Sequence, residues 1–181
     1  MQTKNGGLLI KRIAYVLGLF LLALGVSVSI KSNLGVSPVN SLPYAISQVL
    51  GVDMGIVTTL TFLSYILLQF LLLRKEFKAK SLLQIICSIV FGYFVSFTNR
   101  LFTFSTPDSM ALKLLLSVGS IFLIAMGMTL YLFADLIPMP SEGFMLAVCE
   151  KTGFAFHRIK VVFDCSVVTA AAGISFLGLH K

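Results

Sequence analysis

Charge is what this 181-residue sequence has least of: 12% of its residues are Asp, Glu, Lys or Arg, and only seven are acidic. Apolar residues make up 57% and the mean hydropathy is +0.99, against roughly 45 to 50% apolar content in a soluble domain. A water-soluble fold is therefore excluded. Histidine is nearly missing too. His157 and His180 sit at the ends of apolar runs, with no metal-spaced cluster, nucleophile motif or phosphate-cradling glycine loop beside them. These absences predict a protein that is not an enzyme, with no catalytic residue, no metal and no cofactor. The three cysteines, Cys87, Cys149 and Cys165, are odd in number, lie in apolar stretches and form no CxxC pair, so they read as small buried hydrophobes.

What is abundant is long apolar sequence. Runs at 11–30, 54–73, 81–103, 111–133 and 157–179 are each near the length of about 20 residues that crosses a bilayer as a helix. The expected fold is an all-α membrane protein with five transmembrane helices, the whole chain, 1–181, forming one membrane domain. Lys4, Lys11 and Arg12 before the apolar Ile13–Ile30 run imitate a signal peptide. That run is long for such a segment, so it is read as a retained first span.

The net charge of +7 points to orientation, not to nucleic acid, because the basic residues sit at span ends instead of sharing one soluble face. Lys4, Lys11, Arg12, Arg74, Lys75, Lys78, Lys80, Lys151, Arg158 and Lys160 fall on one side of the five-span topology, and Lys31, Arg100, Lys113 and Lys181 on the other. Cytoplasmic loops carry such an excess. The expectation is a multi-pass protein of the bacterial cytoplasmic (inner) membrane, N-terminus inside and C-terminus outside, with the lipid bilayer as its first partner.

Two further stretches, 38–50 (PVNSLPYAISQVL) and 140–152 (PSEGFMLAVCEKT), are apolar but too short to span. Pro38 and Pro140 suit a first helical turn, and Gly51 and Gly153 suit left-handed C-caps. Both stretches read as short re-entrant or interfacial helices. They also centre an internal repeat: Gly25/Gly127, Asn33/Asp135, Leu34/Leu136, Pro38/Pro140, Ala45/Ala147 and Gly51/Gly153 each pair 102 residues apart, without a gap. A duplication is the economical explanation. Unit one covers 11–73 with 81–103 as a linking span, and unit two covers 113–179. That linking span makes the second unit start on the opposite face, so the repeat is expected to be inverted, a recurring plan of secondary transporters. The same offset places a sixth span at 183–205, past the last residue here, and a missing sixth span would leave an open face suited to a homodimer.

The runs GLFLLALGVSVSIKSNLGVSP (18–38) and DLIPMPSEGFMLAVCEKTG (135–153) resemble the YczE/YyaS/YitT family of bacterial integral membrane proteins, most closely its YczE branch. The resemblance implies a glycine-rich first helix, an Asn or acidic residue before LGxxP, and a related element ending in TG in the second half. Ile137 and Met139 depart from the glycine and small residue usual in the second loop, and the family pattern includes a sixth helix absent here. The family implies no particular activity.

Polar residues near the two short helices are the candidates for function. Asp135 and Glu142 flank the second, and Asn33 and Asn40 hold the equivalent places in the first. Beside helix N-termini, acids are also favoured by the helix dipole alone. Ser37 precedes Pro38 and reads as an N-cap before it reads as a ligand. Asp164 lies inside the fifth span, where a charge is costly and hence functional by default, unless Lys160, one turn earlier, neutralises it. Asn33, Ser37, Asn40, Asp135, Glu142 and Asp164 are thus the expected pathway for a small solute or ion, with Gly25, Pro38, Gly51, Gly127, Pro140 and Gly153 as structural repeat positions. Ser88, Gly92 and Ser96 form a small-xxx-small ladder that reads as helix packing. Two functions remain open: a secondary-transporter-like protein, or a non-transporting membrane factor that regulates or assembles another membrane or biosynthetic system.

Overall fold

The computed structural model describes residues 3–102 and 106–179. Residue 103, at the expected end of the third span, and His180 and Lys181 lie outside the described residues. Among the described residues seven α-helices follow one another: α1 (Thr3–Ser32), α2 (Pro38–Leu50), α3 (Met54–Leu73), α4 (Leu83–Leu101), α5 (Met110–Ala134), α6 (Pro140–Thr152) and α7 (Phe156–Leu179), with two short 3-10 turns between α3 and α4. No strand occurs among the described residues. Five helices among the described residues, within α1, α3, α4, α5 and α7, are long and apolar enough to cross a membrane. The protein is an all-α, multi-pass membrane protein.

The helix boundaries follow from the residues at them. Ser37 and Met139 precede the prolines in nearly the same extended conformation, φ −62°, ψ 151° and φ −59°, ψ 150°. Proline then serves as the first helical residue, where its missing N–H costs nothing. Both short helices have 13 residues and stop at a glycine in the left-handed region, Gly51 at φ 64° and Gly153 at φ 73°. Asn33 (φ 53°) and Asp135 (φ 47°) are left-handed as well, a conformation that Asn and Asp tolerate better than other side chains. The starts of α2 and α6, of α3 and α7, and these turns all repeat at the 102-residue spacing of the sequence.

The chain divides into two compact units, with breaks before α2, inside α4 and before α6. Unit 1 comprises Met1–Val36 and Phe94–Leu136. Its centre is the pairing of α1 with α5. Along α1, Tyr15, Leu19, Leu22, Val26 and Ser29 are buried at alternating spacings of four and three, one helical face. Glycines let the backbones touch: a β-carbon on Gly18 would lie 2.7 Å from Tyr131 N, and one on Gly127 would lie 2.8 Å from Gly18 O. Gly25 instead meets Ile124 and the Ser120 carbonyl. Rising numbers on α1 thus meet falling numbers on α5, so the two helices are antiparallel. Within lipid, where apolar burial drives association little, such close backbone packing supplies the attraction. Thr98 of α4 adds a buried hydroxyl contact to Ser27, 2.7 Å.

Unit 2 comprises Ser37–Tyr93 and Ile137–Lys181. Here α2 packs on α7, and α6 packs on α3. An aromatic core joins three helices: Tyr65 stands edge-on to Phe163 with centroids 5.4 Å apart and lies parallel to Phe144 at 6.1 Å. Phe62 stacks on Phe91 of α4 at 5.6 Å. Gly92 lets α4 close on Thr59 and the Gly55 carbonyl of α3. Ser88, the previous rung of that ladder, is fully buried and donates to Gln84 O.

Candidate functional site

The polar face of α3 is the starting point. Thr58, Thr61, Tyr65 and Gln69 are all buried and recur every three or four residues, which places them on one side of the helix. Thr58 and Thr61 return their hydroxyl protons to the carbonyls of Met54 and Val57, so they cost little. Tyr65 and Gln69 are different. The Tyr65 hydroxyl and the Gln69 Oε1 atom are buried with no hydrogen-bond partner, and so is Gln84 Oε1 at the start of α4. Leaving a buried polar atom unpaired costs about 1 to 3 kcal/mol. Three such atoms within one helix assembly call for an explanation in ligand or water.

Gln69 and Gln84 face a cavity of about 230 Å³ in unit 2. The two glutamines are 5% and 1% exposed, so their amides form a closed floor. Gly143 of α6 faces both: a β-carbon there would collide with Gln84 Nε2 and lie 3.1 Å from Gln69 Oε1. Glycine at this position therefore keeps both amides clear and brings them towards one point. Leu73, Pro138, Leu146 and Ala147 give the walls, and Glu76, Lys78, Lys80, Ser81 and Glu150 complete the lining at the polar end. Glu76 is already engaged, accepting from Lys151 Nζ at 2.6 Å. The residues that line the cavity thus come from α3, α4, the short helix α6 and the turn before it, with the 3-10 turns at the rim.

The residues expected from the sequence lie elsewhere. Asn33 and Asp135 are exposed turn residues of unit 1. In unit 2, Ser37 occupies the N-cap position of α2, and its hydroxyl accepts from the Asn40 side chain at 2.8 Å. Glu142 lies half-buried in the first turn of α6. Asp164 is in an ion pair with Lys160 at 3.1 Å, with Oδ2 engaged and Oδ1 unpartnered. None of these four unit 2 residues lines the cavity. Gly51 and Gly153 are C-caps, Pro38 and Pro140 are helix starts, and Gly25 and Gly127 are backbone contacts of unit 1. Among the described residues no three His, Cys, Asp or Glu side chains gather closely enough to hold a metal ion.

Gln69, Gln84 and Gly143 were missed because attention went to ionisable groups. A readable signal was present: two glutamines inside apolar runs, one of them ending a Thr58, Thr61, Tyr65, Gln69 series at helical spacing. In a span, neutral amides cost less than acids, yet they demand partners all the same.

Residues 9–181 match a family described as a family of unknown function, DUF6198. The chain is also 27% identical over 161 residues to the uncharacterized membrane protein YczE of Bacillus subtilis (strain 168), a match that covers 88% of this chain and 73% of that protein. No solved structure matches.

Proposed function

The chain belongs to the DUF6198 family, and from its multi-pass architecture we propose that it is a secondary-transporter-like protein that moves a small solute or ion. One observation carries this reading: Gln69 and Gln84, whose buried amide oxygens have no hydrogen-bond partner, both line a polar-mouthed cavity. A helix bundle that served only as architecture would gain stability by replacing such amides with apolar side chains. A solute that supplies the missing donors turns the cost into specificity.

The arrangement around the cavity supports the same reading. A buried polar stripe runs along α3 from Thr58 to Gln69 and ends at the cavity, where Gln69 is part of the lining. A helix of 13 residues is about 20 Å long, too short to cross about 30 Å of hydrocarbon. Lys151 near the end of α6 meets Glu76 just past the end of α3, while Phe144 near its start meets Tyr65, so α6 runs alongside α3 in the same direction. This favours a re-entrant α6. The 102-residue spacing and the antiparallel α1 and α5 favour an inverted duplication. The excess of Lys and Arg near Arg74–Lys80 and Lys151–Lys160 favours a cavity mouth on the cytoplasmic side of an inner membrane. Cysteine labelling at position 77 is expected from the inside only.

The decisive experiment is flux into proteoliposomes that hold the purified chain, screened over inorganic ions, amines, amino acids and sugars. Flux of one class, lost in Gln84→Leu while the protein stays monodisperse, is the expected result. Absence of flux for every class, with the protein oriented and folded, would favour a regulatory or assembly factor instead.

A further inference from the structure

The two faces of α1 near its start are unlike. Ala14, Tyr15, Gly18 and Leu19 are buried, with Tyr15 against Tyr131 at 5.6 Å and Gly18 against the Tyr131 backbone of α5. On the other side Arg12, Ile13, Val16 and Leu17 are exposed, and with Phe20 and Phe94 of α4 they line a groove of about 480 Å³ within unit 1. Phe20 and Phe94 meet edge to face at 5.4 Å and close one end. Arg12 stands at the other end, the single polar side chain among the described residues that line the groove. It has no ion pair or side-chain hydrogen bond among the described residues, and α1 carries no acid that could supply one. From Arg12 to Phe20 is about 12 Å of helix, close to one leaflet's share of about 30 Å of hydrocarbon.

We propose that this groove holds one anionic phospholipid, its phosphate on Arg12 and one acyl chain laid along Ile13, Val16, Leu17 and Phe20. The groove has the volume of roughly sixteen waters in the liquid, and a methylene group takes about the same space, so a single acyl chain fills it. A guanidinium forks onto two phosphate oxygens, a geometry that an ammonium lacks. Charge selects among phospholipids. A zwitterionic headgroup brings its own cation to the phosphate, whereas an anionic one leaves the phosphate to Arg12, with Lys11 beside it adding to the attraction. Shape decides against a second protein helix. Close helix pairing in lipid uses small residues at the contact, as Gly18 and Gly127 do on the far face, and this groove presents Ile, Val, Leu and Phe. A flexible chain fills such an uneven surface where a rigid helix leaves voids. No residue of the unit 2 cavity takes part, so this site stands or falls apart from the solute-carrying reading.

The test is competition between lipids on the full chain. Nanodiscs of phosphatidylglycerol and phosphatidylcholine in equal parts supply the probes, and native mass spectrometry of the released protein counts the lipid that it retains. One retained phosphatidylglycerol per chain, favoured about fivefold over phosphatidylcholine, is expected, the worth of one basic residue at an anionic surface. Arg12→Gln is expected to bring the two lipids level and Arg12→Lys to keep part of the preference. Lys113→Gln, which removes a cation outside the groove, is expected to leave it unchanged. Val16→Trp, which fills the groove, is expected to lower retention of both lipids while Arg12 stays in place. Competition on the unaltered chain carries the test even where a variant fails to insert. Equal retention of the two lipids by the unaltered chain overturns the proposal. A preference that survives Arg12→Gln overturns it too, since the attraction would then be diffuse and owed to the other basic residues. So does a second copy of the chain held at this face in place of lipid.

Discussion

Within unit 2, α6 on α3 and α2 on α7 are two versions of one helix pair, matched residue for residue at a spacing of 102. Lys151 and Glu76 form an ion pair in the first. Their counterparts in the second, Val49 and Gly178, meet through bare apolar contact, so close that a β-carbon on Gly178 would collide with Val49. Gly143, which leaves space over two amides, corresponds to Ser41, whose hydroxyl donates to Pro38 O at 2.7 Å. Gln69 corresponds to the buried Ala171. The backbone plan is shared, and polarity is not. The shared spacing therefore accounts for where the helices start and stop, while the proposed site lies in the pair that carries Gln69 and Gly143.

The largest expected break of this comparison is Gly143→Val. Its branched side chain must enter space held by Gln84 and Gln69, and overpacking of a tight core costs about 1 to 3 kcal/mol. Solute binding should disappear and thermal stability should fall. The counterpart Ser41→Val lies at a less crowded position that is only partly buried and should change stability by under about 0.5 kcal/mol. Differential scanning fluorimetry of the two variants measures the contrast. Equal losses would mean that Gly143 is no more than a packing position.

Next in size is Gln84→Leu. In the absence of solute it removes a buried amide with an unpaired oxygen and should stabilise the protein by about 1 to 2 kcal/mol, while abolishing binding. The reciprocal Ala171→Gln should destabilise by a similar amount, because it buries an amide where no cavity awaits it. Chemical unfolding in detergent checks both signs. A destabilised Gln84→Leu would mean that the amide already has a partner in the resting protein.

A smaller effect is expected at Asp164. Its counterpart in α3 is Phe62, buried and stacked on Phe91, whereas Asp164 pairs with Lys160 one turn away, its side chain 23% exposed and that of Lys160 47% exposed. Because both groups reach solvent or headgroups, the pair should contribute only about 1 kcal/mol. Asp164→Asn should lower thermal stability slightly, Asp164→Asn/Lys160→Met should restore it, and solute binding should persist in both. Loss of binding in the single variant with stability unchanged would return Asp164 to the pathway.

The short helices were legible because composition and punctuation agree at their boundaries, whereas α1 starts at Thr3, ahead of the apolar run expected from 11. Proline at 38 and 140, glycine at 51 and 153 and apolar runs of fixed length leave few alternatives, and α2 and α6 match the expected stretches at both ends. The cavity was not legible, for a physical reason. Its floor combines Gln69 and Gln84, which come together only through helix packing, with Gly143, whose importance is the absence of a side chain. Neither periodicity nor charge reports such a meeting. The candidate acids drew attention because ionised groups are conspicuous in apolar sequence, but Asp164 has an i,i+4 partner and Asp135 an ordinary turn.

The smallest expected effect concerns the ion pair itself. Glu76 and Lys151 stand at the mouth, their side chains 55% and 34% exposed, where screening reduces a Coulomb gain to about 0.2 to 1 kcal/mol. If the pair only replaces the Val49 and Gly178 contact, Glu76→Gln, Lys151→Met and the double variant should close a cycle with a coupling in that range, and binding should be unaffected. Coupling well above 1 kcal/mol would instead make the pair a structural clasp between α6 and the end of α3, and the polar copy would then owe its difference to stability and not to solute.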